Sequence, residues 1–321
     1  MYPLKFSPVY KKIIWGGTKI KSYFNRDMTD DNIAESWEIC SRSDGMSIIS
    51  NGELKGRALQ SVIDEYGEKL LGKQVVKQFG SDFPLLIKLI DANDDLSVQV
   101  HPDDVYARLC GEKNGKNELW YVVDAKENAN LVYGLKKDVT KEKFVRSIEK
   151  DIVAQTLNKI PVKSGDVLFI PAGTVHAILS GLLIAEIQQN SNTTYRIYDW
   201  NRVDSSGTGR ELHVDKALDV ISFKQTSNEP SVLLNEENKN YKLKAILRSE
   251  FFNVDEANIN VKYNLRADGN GFFILMNLQG CGNINYSEGN LEITAGETVL
   301  IPADLGEFSI TGELKLLVIY M

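Results

Sequence analysis

Gln99 and His101 stand two residues apart in LSVQVHPDD, a strand-like run closed by Pro102. Side chains at i and i+2 of a strand project from one face, so an amide and an imidazole enter the same space side by side. Two polar groups aimed together need a common partner. The chain has only three histidines. A second one, His176, closes the run KSGDVLFIPAGTVHAIL, where glycine and proline turns bound an apolar strand. The third, His213 in RELHVDKAL, opens a helical pattern and reads as structural.

Short, turn-bounded runs must position these residues: LLIKLI, LSVQVH, ELWYVV, NLVYG, DVLFIP, LLIAEIQ and TTYRIYDW. This is the texture of an antiparallel barrel or sandwich. Helical periodicity is expected over 57–79, with Gly67 as a break, over 138–159 as one or two helices, with Thr140 as the first cap, and over 213–222. From residue 224 the chain turns polar and aperiodic, which predicts a linker over 224–240 between a first domain, 1–223, and a β domain, 241–321. KSGDVLFIPAGTVHAIL also aligns without gaps to TAGETVLIPADLGEFSI, Gly165 facing Gly296 and Pro171 facing Pro302. Two copies of one β unit are implied, and Glu307 falls opposite His176, so the first copy is expected to be the active one.

Composition narrows the partners. The formal charge is −7, with acidic and basic residues interspersed, which argues against nucleic acid and still permits a small anion held by local Lys and Arg. The N-terminal run MYPLKFSPVYKKIIWGG has no secretory core, and no apolar run approaches the roughly 20 residues that span a bilayer. A cytoplasmic protein with free thiols at Cys40, Cys110 and Cys281 is expected. Nothing in the pattern speaks to oligomeric state.

The spacing around Gly165, Pro171, Gly173 and His176 resembles the second motif of the cupin superfamily, with Ser180 where many cupins have Asn. Against the first cupin motif, Gln99 stands in place of a histidine, and the helix-like insert DDVYARLCGEKNGK moves the expected glutamate out to Glu118. The resemblance implies a metal set of Gln99, His101, Glu118 and His176. Two neutral imidazoles, a carboxylate and an amide oxygen suit Zn²⁺, and the two-His-one-carboxylate part also suits Fe(II).

The ordered runs AESWEI, LLIKLIDA, SVQVHP, GKNELWYV, IPAGTVHAI and YRIYDWNR closely resemble type I mannose-6-phosphate isomerase (phosphomannose isomerase), in its short bacterial form. That resemblance implies a mainly β fold with helical insertions: a cupin (jelly-roll) core followed by a second, degenerate cupin-like domain. It implies a zinc-dependent aldose-ketose isomerase acting on a sugar phosphate, with one zinc on Gln99, His101, Glu118 and His176. The family's active-site arginine falls on Arg196 and its lysine on Lys116, with Asn117 where Thr is commoner. Ser97 and Lys88 are the implied phosphate contacts. Moving a proton between C2 and C1 builds negative charge on oxygen, which a metal cation and a guanidinium stabilise. Two other classes compete: an Fe(II) cupin oxygenase, which Gln99 disfavours, and a non-catalytic sugar-phosphate-binding cupin. Metal content separates the first two, and turnover separates both from the third.

Overall fold

The runs LLIKLIDA, ELWYVVDA and LLIAEIQQ form the strands Leu85–Ala92, Glu118–Ala125 and Leu182–Gln189, adjacent in a six-stranded antiparallel sheet. They belong to a computed structural model that describes residues 1–203, 206–224 and 235–321. Opposite lies a five-stranded sheet containing Val98–Val100, Asn130–Leu135, His176–Ile178 and Tyr195–Tyr198. The two sheets face each other across a shared core in which Ile90, Trp120 and Ile184 meet Leu131, Tyr133 and Ile178. Among the described residues no backbone ladder joins them, so the expected barrel is two facing sheets with open edges.

Alternation along each strand explains the sequence pattern. In the 85–92 strand, Ile90 faces the partner sheet, and Leu85, Ile87 and Leu89 face the opposite side. There they pack on helices and on Ile274, Met276 and Ile319 of the C-terminal strands. Strands buried on both faces read as near-continuous apolar runs, and each buried Leu or Ile adds about 1.5–3 kcal/mol of hydrophobic stabilisation. On the five-stranded sheet, Val98, Val100 and Ala177 point outward against Phe144 and Ala217 of flanking helices. Gln99 and His176 are thereby turned inward.

The helices bend the expectations slightly. Residues 57–79 form Leu59–Tyr66, Glu68–Leu71 and Lys73–Phe79, broken at Gly67 as expected and again at Gly72. Thr140 does cap Lys141–Glu149, accepting from the Lys143 amide. A second, short helical turn follows at Val153–Thr156, and helix ends before 159 because Leu157–Pro161 pairs with Asn130–Leu135 as an edge strand.

The C-terminal part is a ten-stranded sheet around its own core of Ile259, Leu275, Val299 and Phe308. The internal repeat is structural: Val167–Ile170 and Thr298–Ile301 are strands at equivalent positions, each after a glycine turn with φ of +88° at Gly165 and +83° at Gly296. Two expected boundaries shift. Leu4–Ser7, placed in the first domain from sequence, pairs with Thr298–Ile301, so the N-terminal strand belongs to the C-terminal sheet. Within the expected linker, 225–234 lies outside the described residues, and Asn235–Glu237 is a strand paired to Tyr241–Leu247. Among the described residues no helix is long and apolar enough to cross a membrane, and the three cysteines are unpaired.

Candidate active site

Period-two alternation delivers the polar residues of both sheets into the space between them. Gln99 comes from Val98–Val100, His101 directly follows it, and His176 opens its own strand, its Cα in register with Gln99. Glu118 opens Glu118–Ala125 on the facing sheet. His101, Glu118 and His176 are 1%, 0% and 0% exposed. One ligand atom from each lies within 4.8 Å of the others.

The hydrogen bonds fix what these atoms offer. His101 Nδ1 lies 2.9 Å from the Thr193 carbonyl, and His176 Nδ1 lies 2.9 Å from the Thr174 carbonyl. Carbonyls only accept, so each Nδ1 carries the hydrogen and each Nε2 presents a lone pair. Gln99 Nε2 approaches His176 Nε2 at 3.3 Å. A half turn of that amide would bring its oxygen to the same place. His101 Nε2 and both Glu118 oxygens are buried without an aligned hydrogen bond, although Glu118 Oε1 is 3.3 Å from His101 Nε2 and 3.0 Å from Lys116 Nζ. Lone pairs that converge without hydrogens between them suit a divalent cation, and the oriented Nδ1 donors are the usual support for such ligands.

Electrostatics agree with that state. Burial, then the Lys116 charge, push His101 down to about 3, and burial lowers His176. Burial opposes the Glu118 charge, yet nearby positive charge, Lys116 foremost, holds the carboxyl well below its usual range. Two neutral imidazoles and one carboxylate result.

In front of this cluster opens a cavity of about 310 Å³ lined by Lys88, Ser97, Gln99, Lys116 and Arg196. The structure thus brings all eight residues singled out from sequence to one place. Among the described residues Arg196 forms no ion pair, although Asp199 is three residues away. Its Nε donates to Ser97 Oγ at 3.3 Å and its Nη1 to the Glu211 carbonyl at 2.7 Å. Burial, then the nearby Arg210, lower its pKa.

Sequence reasoning gave no role in the site to Glu35, Arg210, Trp120 or Glu186. Lys88 lies 3.2 Å from Glu186 and 3.5 Å from Glu35, so two carboxylates neutralise it, and their charges outweigh burial to raise its pKa. Trp120 Nε1 donates to Glu186 Oε2 at 2.9 Å, leaving Oε1 without an aligned hydrogen bond. Burial, then the Glu118 charge, raise the Glu186 pKa. The available signal was a charge flanked by apolar residues in each of two strands, Lys88 in LLIKLI and Glu186 in LLIAEI, and these strands pair with Glu186 opposite Lys88.

The comparisons with known proteins agree along the whole chain. The model for "Phosphomannose isomerase type I, catalytic domain" matches residues 3–117, and that for "Mannose-6-phosphate isomerase, cupin domain" matches 241–321. Mannose-6-phosphate isomerase ManA of Bacillus subtilis is 36% identical, covering 99% of each chain. Mannose-6-phosphate isomerase of Streptococcus mutans is 34% identical over 98% of this chain and 97% of its own. The crystal structure of mannose 6-phosphate isomerase from Bacillus subtilis superposes with a TM-score of 0.91 at 34% identity, covering all of both chains. The chain belongs to the type I mannose-6-phosphate isomerase (phosphomannose isomerase) family.

Proposed function

We propose that this isomerase interconverts mannose 6-phosphate and fructose 6-phosphate through a cis-enediol, with one zinc ion held by His101, Glu118, His176 and Gln99. The observation that carries the reading is the buried cluster of converging lone pairs at the foot of a cavity lined by cations. Bound there, zinc supplies a Lewis acid that stabilises negative charge developing on a substrate oxygen.

The chain's own residues account for the proton transfers. Glu186 lines the cavity, with Oε1 held 3.2 Å from Lys88 Nζ without an aligned hydrogen bond, and its raised pKa suits a group that takes and returns a proton. It removes the C2 proton, the C2–H electrons form the C1=C2 bond, the C1–O1 π pair moves to O1, and O1 takes a proton from the Lys116 ammonium. The same carboxyl then delivers its proton to C1, and the O2 proton passes back to the Lys116 amine as the C2 carbonyl forms. One base on one face of a cis-enediol suffices for both transfers. Lys88 and Trp120 hold Glu186 in place. Lys116, anchored 3.0 Å from Glu118, donates to the substrate oxygens at C1 and C2. Arg196 keeps its charge and can bridge two oxygens.

The test is proton NMR of mannose 6-phosphate in D₂O with the zinc-loaded protein. Fructose 6-phosphate carrying deuterium at C1 is expected, because the carboxyl exchanges with solvent between the two transfers. No conversion by the folded, zinc-loaded protein would contradict the assignment.

A further inference from the structure

The cations deep in the cavity are already matched. Lys88 lies between Glu35 and Glu186, and Lys116 lies beside Glu118. The mouth is different. Arg196 and Arg210 both line it, and each charge acts on the other. Among the described residues no carboxylate pairs with Arg196, whose bonds run to a hydroxyl and a backbone carbonyl. Arg210 is gripped edge-on by Asp199, with Nε donating to Oδ2 at 2.7 Å and Nη2 to Oδ1. Asp199, 5% exposed, also accepts from Arg202 at 2.6 Å. Arg202 also reaches the exposed Asp94 at 3.4 Å, so two carboxylates serve two arginines beside an unpaired third, and one positive charge is left over where the cavity opens.

Like charges at a shared cavity wall repel, and a fold that holds them there is arranged for an anion. The Asp199 grip fixes one edge of Arg210 and leaves Nη1 without a hydrogen-bond partner among the described residues. We propose that Arg210, aimed by Asp199, binds the substrate phosphate together with Arg196. This rests on the sugar-phosphate reading and deepens it by orienting the substrate: phosphate at the mouth, C1 and C2 toward Lys116 and Glu186. Ser97, bonded to Arg196, stays with the phosphate set, and Lys88 serves Glu186 instead. Arg210 is then a substrate-binding residue and Asp199 a positioning residue.

The experiment is calorimetric titration of zinc-loaded wild type, Arg210→Gln, Arg210→Lys and Asp199→Asn with inorganic phosphate and with mannose 6-phosphate, beside steady-state kinetics. Losing one charge-assisted contact should weaken both ligands by about tenfold or more in Arg210→Gln. Lys at 210 should lose less, and kcat should change much less than KM. Asp199→Asn should weaken binding on its own yet add little to Arg210→Gln in the double variant, which a merely structural aspartate would not do. Phosphate affinity and KM in folded Arg210→Gln within twofold of wild type would overturn the proposal while leaving the isomerase reading intact. Arg210-dependent binding without turnover in the wild type would do the reverse.

Discussion

Replacing Glu118 by Gln in the metal-stripped protein isolates the charge at the centre of the cluster. Glu118 is fully buried and its Oε1 lies 3.0 Å from Lys116 Nζ, itself 4% exposed. At an effective dielectric of about 20, two unit charges at that separation attract by roughly 5–6 kcal/mol. The amide keeps a weaker acceptor, and the cost of burying the carboxylate disappears, so the net loss is smaller. Breaking one side of a buried pair typically costs about 3–5 kcal/mol, and we expect about 3 here. Urea unfolding followed by far-UV circular dichroism at pH 7 measures it. The paired replacement Lys116→Met with Glu118→Gln should recover most of the loss, since removing both partners strands neither charge. A single variant within about 1 kcal/mol of wild type, or a double variant whose losses simply add, would refute the charge pairing.

Glu186→Gln should retain zinc and phosphate binding while turnover falls by at least about a hundredfold, as loss of a proton-transfer group predicts. Unchanged kcat would remove Glu186 from the chemistry. Glu307 is exposed and sits in the copy of the repeat without a histidine, so Glu307→Ala should leave kcat/KM unchanged and stability within about 0.5 kcal/mol. Acid should weaken the metal-stripped protein. Folding lowers the His101 pKa from 6.5 to about 3, so between those values the unfolded chain binds a proton that the native chain does not. Stability therefore rises with pH across that window and falls on acidification, by about 1.4 kcal/mol per pH unit for this site. His176 and Glu118, both lowered, act in the same direction. His101→Asn should flatten the dependence seen in urea unfolding between pH 7 and pH 5, and an unchanged slope would count against a neutral buried His101.

Much of the site was legible because period-two alternation survives in short strands. Gln99 and His101 flank Val100, whose outward burial against the flanking helices fixes their inward aim. The repeat was equally legible, since glycine turns bound the 167–170 and 298–301 strands in both copies. Glu186 and Lys88 were harder to place because their strands are buried on both faces, which erases the polar alternation that would mark an inner face. Their meaning lies in cross-strand register, which is long-range. Arg210 acquires its place through Asp199, again a tertiary contact. The edge strand at 157–161 was absorbed into a helix because LNKIP is polar enough for a solvated helix end, and pairing with 130–135 overrode local propensity. The N-terminal strand carried no signal of its partner, which lies near the other end of the chain.

The most direct test is zinc titration of the metal-stripped protein, measuring bound metal and the rate of fructose 6-phosphate formation on the same samples. No turnover is expected without metal, with activity rising linearly to one zinc per chain and both tight binding and turnover lost in His176→Ala. Isomerisation by fully metal-free protein, or full zinc retention in folded His176→Ala, would contradict it.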